Sequence, residues 1–404
     1  MGRLEEVGGR TALVEMVEDV ATTSHVVSYA RNVQEDASRR RIIELSGRLI
    51  AVCQDRTQPL ESAQRVTVQL MRAVATPRTD DPGMEHLLSQ EIDLILSRKT
   101  NTKSGEYLTT SIRELDEKVV GLFKGEMTII GGPPSMGKTS FAVGIAIHNC
   151  VRGARILFLS LDQPPKDIHQ RMITFETGIA RDRLVHGELS AKQRRAIEDF
   201  HSLKTCFGGL SIPDDPPRSI LGAAALARSL KRANGLDCII VDYVQAMRSD
   251  NRNDQRAAEM ERVSNDLKEL GIELNVAVVA LAQLSRKYEN LGPKDLPTAT
   301  MLKESPALEQ DANLILFPWV PKILMNKQAG HSIQEDDGRT GGRDDGREEY
   351  WGAVFKIDKH KTGPTGLVRA RFHLARSAFF SMTDPHEGRI LPLVRVIRPA
   401  HREN

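Results

Sequence analysis

Met127-Thr-Ile-Ile-Gly-Gly-Pro-Pro-Ser-Met-Gly-Lys-Thr-Ser-Phe-Ala142 decides how the chain is read. Thr128 to Ile130 is an apolar run of strand length, a loop opens at Gly131 and Gly132, and Lys138-Thr139-Ser140 begins an apolar-periodic helix. The spacing Gly132-x4-Gly137-Lys138-Thr139 is that of a phosphate-binding loop. Glycines let the backbone curl so that successive N–H groups turn onto phosphate oxygens. The positive end of the following helix favours the anion. Candidate nucleotide contacts therefore run through Gly132, Pro133, Pro134, Ser135, Met136, Gly137, Lys138, Thr139 and Ser140. Lys138 has the reach for β- and γ-phosphates, and the Thr139 hydroxyl can ligate Mg2+. A Gly-rich structural turn is the alternative. The strand before the loop and the helix after it argue for the nucleotide.

Working outward, 404 residues suffice for one large domain and a smaller one. With 40% hydrophobic and 27% charged residues the composition is that of a folded protein. A net charge of +2 leaves any nucleic-acid surface to be local. Cys53, Cys150, Cys206 and Cys238 lack metal-type spacing and read as reduced thiols of a cytoplasmic protein. No apolar run approaches the roughly 18 residues of a membrane span, and Met1 to Arg10 has no apolar core of a signal peptide.

From Ser111 to Phe317 short apolar runs alternate with helical patterns. The runs are Ile156–Ser160, Cys238–Asp242, Val276–Leu281 and Asn313–Phe317; Ser219–Ala233 and Arg256–Leu274 are helical. The expected fold class is α/β, with a mostly parallel sheet and helices on its faces. Ligands of such sheets lie beyond the carboxyl ends of the strands, and three polar side chains are expected there. Asp242 is either a Mg2+-associated carboxylate or a helix N-cap. Asp162 is either a general base for the attacking water or the cap of a helix starting at Pro164-Pro165. Gln283 is an uncharged group able to sense a γ-phosphate. The polar loop 286–303, with Arg286, Lys287, Lys294 and Lys303, is either solvated or a contact for a nucleic-acid backbone.

Flanking segments complete the expected organisation: a helical hairpin in 1–76, broken at Thr57-Gln58-Pro59, and a linker 77–105 carrying an amphipathic helix 84–99. The α/β domain occupies 106–390 around a low-complexity, disordered insertion 326–349, and a basic tail 391–404 follows. Strand-like runs 351–357 and 367–372 flank the turn Lys359-His-Lys-Thr-Gly-Pro-Thr-Gly366, a hairpin pattern.

The order of motifs is specific. The phosphate loop is followed by Leu-Phe-Leu-Ser-Leu-Asp162, Ile-Ile-Val-Asp-Tyr-Val-Gln245, Ala-Leu-Ala-Gln-Leu-Ser-Arg286, Leu-Lys-Glu-Ser-Pro-Ala-Leu-Glu-Gln-Asp-Ala312 and Lys-His-Lys-Thr-Gly-Pro-Thr-Gly366. With Thr110-Ser-Ile-Arg-Glu-Leu-Asp116 at the domain entrance, this resembles the DnaB-type replicative DNA helicases, RecA-fold hexameric ring motors. The resemblance implies ATP-dependent translocation on single-stranded DNA and unwinding at a replication fork. It implies Lys138 and Thr139 on the triphosphate and Mg2+, Asp242 as the metal-associated carboxylate, and Asp162 as the catalytic acid-base group. Gln283 links nucleotide state to the DNA loops, and Lys359 and Lys361 reach a neighbouring subunit's γ-phosphate. Lys303 and Glu304 lie in the loop that holds DNA, and helix 84–99 docks on the next subunit.

The pattern departs from the family at Asp162 (Glu in the family), Lys361 (Arg) and Pro306 (Gly). Gly2 to Arg10 resembles the middle of the family's N-terminal domain, so the head through which loader and primase contacts run is not expected before it. Two other classes stay open: a ring or assembly subunit with weak hydrolysis, and a RecA-like recombination or repair ATPase.

Overall fold

The computed structural model describes residues 26–55, 57, 60–74, 88–89, 92, 107–202, 204–249, 255–285, 295–302, 306–321 and 350–383. The insertion, the basic tail, the residues before 26 and most of the expected linker helix lie outside these; residues 88, 89 and 92 of that helix are helical. The chain divides into two compact units, Met1–Asn101 and Thr102–Asn404.

In the first unit, α1 (Val26–Gln54) and α2 (Leu60–Val74) pack on each other. The break between them is set locally: the Asp55 carboxylate accepts from the Thr57 backbone N–H at 3.0 Å and from its hydroxyl at 2.6 Å. Such a side-chain turn competes with helix continuation. Leu45, Ala63 and Val66 are buried, whereas Val33, Ile43 and Ile50 are exposed on α1.

The second unit is built on a nine-stranded sheet. A small antiparallel pair, β1 (Tyr107–Leu108) with β2 (Leu122–Phe123), brackets α3 (Arg113–Val119) before it. The sheet strands are β3 (Met127–Gly132), β4 (Ile156–Ser160), β5 (Leu210–Ser211), β6 (Cys238–Asp242), β7 (Ala277–Gln283), β8 (Leu314–Trp319), β9 (Tyr350–His360), β10 (Gly366–His373) and β11 (Ala378–Phe380). Their order is β11-β10-β9-β8-β3-β7-β6-β4-β5. β3 to β8 are parallel, and β9 to β11 form the antiparallel flank.

The apolar runs form central strands because both faces of the sheet are covered. Successive side chains point to opposite faces, and the core divides by that alternation. Ile130, Phe158, Ile240 and Val279 join the layer under α4 (Lys138–Val151). Ile129, Leu157, Val241 and Val278 join the layer under α8 (Ile220–Asn234) and α9 (Arg256–Leu274). Between β4 and β5 run three helices, α5 (Pro165–Thr177), α6 (Arg181–His186) and α7 (Ala191–Ser202). A short helix, α10 (Pro306–Asp311), leads into β8. Pro306 opens it, where a missing N–H costs no helical hydrogen bond.

The four cysteines are free thiols. Burial pushes the Cys150 thiol up to about 12, with the Asp237 charge adding to the rise. No described helix is long and apolar enough to cross a membrane.

Candidate nucleotide site

Strand pairing alone assembles most of the site. β3, β7, β6 and β4 are parallel neighbours, so their carboxyl ends share one sheet edge. Gly132 is level with Gln283, and Ser160 with Asp242. At about 4.8 Å per strand, the four ends span roughly 14 Å. The Leu161 N–H donates to the Asp242 carbonyl at 2.7 Å, carrying the chain past β6 and setting Asp162 beside that strand end.

The loop between β3 and α4 has buried Pro133 and Met136 and exposed Pro134 and Ser135. It closes at Gly137, whose φ of 81° lies in the left-handed region. A Cβ there would also stand 2.7 Å from the Phe379 ring. Glycine is thus required twice over, by backbone conformation and by the aromatic packed behind it. At Gly131 a Cβ would run into the Phe317 ring of β8. The first-turn N–H groups of α4 have no intrahelical acceptor by helix geometry, and this end of the helix faces the loop.

Lys138 is buried, and its ammonium donates to the Gly132 and Pro133 carbonyls at 2.8 and 2.9 Å. It spans the loop from inside. The Thr139 hydroxyl donates to the Asp242 carboxylate, which is itself buried, and Asp242 Oδ2 has no hydrogen-bond partner among the described residues. Burial raises the Asp242 carboxyl above its usual range, and the Asp162 charge adds to the rise; Thr139, Lys138 and Arg171 pull it down. An orphaned buried carboxylate oxygen beside a threonine hydroxyl fits a hard cation. No group of three or more His, Cys, Asp or Glu side chains suited to a metal occurs among the described residues. A carboxylate with a hydroxyl suits Mg2+, which keeps water and phosphate oxygens as most of its shell.

Neither acidic residue is a helix cap. The N-cap of α5 is Pro164 and that of the 3-10 turn Val244–Ala246 is Tyr243, neither with a side-chain cap bond. Asp162 is exposed and close enough for its charge to act on Asp242. Gln283 is held through its backbone: its N–H donates to the Gln245 side chain at 3.1 Å, and its carbonyl accepts from the same amide at 3.2 Å.

A cleft of about 1290 Å³ opens from Lys138 and Thr139 toward α5 and α6. Its far wall is the turn after β10, where buried Arg376 donates to the Phe175 and Glu176 carbonyls, both at 3.2 Å. Across the floor, the Ser140 and Ser377 hydroxyls are 3.4 Å apart.

Three groups at this site escaped the sequence reading. Gln245 was visible only as the end of a motif, three residues past Asp242. Gln163 and Arg171 line the cleft and bond each other. Their one signal is position, directly after Asp162 and on the helix that follows it.

Lys359 and Lys361 stand apart from the site. β9 runs antiparallel to β8, so His360 is level with Leu314 and thereby with Thr128, at the start of β3. The end of β3 lies four residues further along, roughly 13 Å. The lysine pair therefore marks the opposite edge of the sheet from Gly132 and Asp242. The Lys359 ammonium donates to the Glu309 and Gln310 carbonyls, capping α10. Burial lowers the Lys359 pKa and the Lys361 charge adds to this. Also on β9, Lys356 donates to the Pro297 carbonyl and Asp358 accepts from the Ala299 N–H, at 2.9 and 2.8 Å. One strand thus ties down both flanks of residues 303–305. Arg286, Lys303 and Glu304 themselves lie outside the described residues.

Residues 107–381 match the family described as the DnaB-like helicase C terminal domain. The chain is 29% identical to replicative DNA helicase DnaB of Haemophilus influenzae, over 96% of this chain and 81% of that one. It is 30% identical to the DnaB of Geobacillus stearothermophilus, over 92% and 78%. Among solved structures, one described as an ATPase domain is similar at a TM-score of 0.60 and 26% identity, covering 75% of this chain and all of that one. A DnaB-like replicative helicase, described together with its interactions with primase, has the same fold at a TM-score of 0.67 and 24% identity, covering 94% and 85%.

Proposed function

The chain belongs to the DnaB-like helicase family, and from that membership we propose that it is an ATP-dependent replicative DNA helicase whose cleft at Lys138 is the cis half of an ATP site. One observation carries the assignment of roles. The buried Asp242 carboxylate sits directly behind Thr139, next to the loop spanned by Lys138, with Asp162 one strand away.

In this reading the loop from Gly132 to Ser140 cradles the phosphates, and Lys138 exchanges its two loop carbonyls for β- and γ-phosphate oxygens. Thr139 and Asp242 hold Mg2+, which when bound neutralises charge on those oxygens. Asp162 orients the attacking water and accepts its proton. Gln283 shares its register with Gly132 and relays the state of the phosphates toward the loop that begins at Arg286.

Lys359 and Lys361 act in trans, because they lie at the far edge of their own sheet. A neighbouring subunit's γ-phosphate is their target, and a hexameric ring supplies the neighbour. Arg286, Lys303 and Glu304 engage single-stranded DNA in its centre, mainly through phosphates and without sequence preference. Helix 84–99 docks on the adjacent subunit of the ring.

The test is unwinding of a forked duplex and DNA-stimulated ATP hydrolysis by the wild type and Lys138→Ala. The wild type is expected to do both and the variant neither. A second reading, a ring or assembly subunit with weak hydrolysis, draws on Lys359, whose ammonium is already engaged by α10. Rings with neither activity in the wild type would establish that reading instead.

A further inference from the structure

Gln163 is held at two points, and together they fix where its amide faces. Its main-chain carbonyl accepts from the Ser160 hydroxyl at 2.6 Å. Its side-chain Oε1 accepts from Arg171 Nε and Nη2 at 3.4 and 3.2 Å. A guanidinium carries only donors. The amide oxygen must therefore be the atom toward Arg171, and the NH2 group the atom turned away. That orientation follows from the partner's chemistry, without any need to distinguish O from N. The NH2 group has no partner among the described residues, and Gln163 lines the cleft together with Lys138 and Thr139. Arg171 stands at the same site, close enough for the Asp242 charge to act on it, while Asp167 on its own helix is paired with Arg181 at 2.7 Å.

A neutral donor pair at this place has a definite use. Lys138, Arg171, Arg181, Arg183 and Arg376 line the cleft, and the buried Asp242 carboxylate stands behind Thr139. An added amide donor can meet an anionic oxygen without adding charge beside Asp242. Its hydrogen bond strengthens as negative charge gathers on that oxygen. We infer that the Gln163 NH2 group donates to an oxygen of the γ-phosphoryl group of ATP, with Arg171 as the positioning residue that aims it. The inference rests on the reading of this cleft as the ATP site. It adds a contact that distinguishes triphosphate from diphosphate on the cis side, one residue beyond Asp162.

The experiment uses the full chain and compares affinities for ADP and for a non-hydrolysable ATP analogue, with thermal unfolding recorded for every variant. Gln163→Met keeps the side-chain length and removes the amide. Arg171→Lys keeps the charge and removes the fork. With Gln163→Met, the analogue should bind about ten- to a hundredfold more weakly while ADP affinity holds, the range for a hydrogen bond to a charged group. Arg171→Lys should lose part of the same discrimination, also without effect on ADP. Equal weakening of both nucleotides, or no change in either, overturns the inference. Wild-type protein that binds neither nucleotide removes the ATP site itself and the inference with it, whereas a site that binds both but ignores Gln163→Met leaves the ATP reading intact.

Discussion

Asp242 is caught between two demands. Burial raises its carboxyl above the ordinary 3.8, and the opposing pull of Thr139 and Lys138 does not offset the rise. A carboxyl with a higher pKa in the folded than in the unfolded state binds more protons when folded. Stability therefore falls as pH climbs from about 3.8 through the folded value. At neutral pH the buried carboxyl is a net cost. Asp242→Asn should accordingly stabilise the nucleotide-free protein at pH 7 by about 0.5–2 kcal/mol while abolishing ATP hydrolysis. The gain should vanish toward pH 4. Urea unfolding at several pH values checks this, and a variant less stable than wild type at pH 7 would refute it. The residues that were legible at this scale share one property. Lys138, Thr139, Asp162 and Asp242 each sit at a fixed offset from the end of an apolar run. The Gln163–Arg171 bond crosses a strand-to-helix junction, and Lys359 reaches carbonyls about fifty residues away. Such pairs leave no local trace in a sequence.

At the scale of elements, Asp237 joins segments that meet only in the folded sheet. Just before β6, it takes the Lys124 ammonium at 2.6 Å and the Arg155 N–H at 2.8 Å. Burial raises its carboxyl, but these donors outweigh that and hold it below 3.8. The sign is opposite to that of Asp242. The stabilisation is present above about 3.8 and is lost as pH falls through the folded value. Asp237→Asn should cost about 1–2 kcal/mol at pH 7, and wild type and variant should converge as pH falls through the folded value in the same unfolding assay. A deficit that persists unchanged at low pH would mean that the charge is not what matters. The strands around Asp237 were readable because both of their faces are buried, which writes them as continuous apolar runs. α6 and α7 were not, since neither buries a residue completely. β5 and β11, at two and three residues, are too short to show a period. β9 extends past its apolar run to His360, and its polar side chains Lys356, Asp358 and Lys359 hold the flanks of residues 303–305.

For the whole molecule, the proposed division of the site between subunits can be tested by mixing. Lys138→Ala and Lys361→Ala chains should each be inactive alone. In mixed rings an interface works when an intact Lys138 faces an intact Lys361, roughly a quarter of interfaces by random assortment. Partial recovery of ATP hydrolysis on mixing is expected, and none should follow from mixing two lots of the same variant. Failure to recover would place both lysines in one subunit's chemistry.

The separation of the lysine pair from the phosphate loop, on opposite edges of one rigid sheet, also bears on dilution. No bending of a sheet this thoroughly packed brings its two edges together, so on the proposed division of the site a solitary chain would lack the lysine pair beside its own phosphate loop. Its catalytic competence would then depend on concentration as well as on sequence. Below the assembly threshold the protein would burn no ATP, however much is supplied. On that proposal, idle hydrolysis by unassembled chains would be suppressed with no inhibitor required.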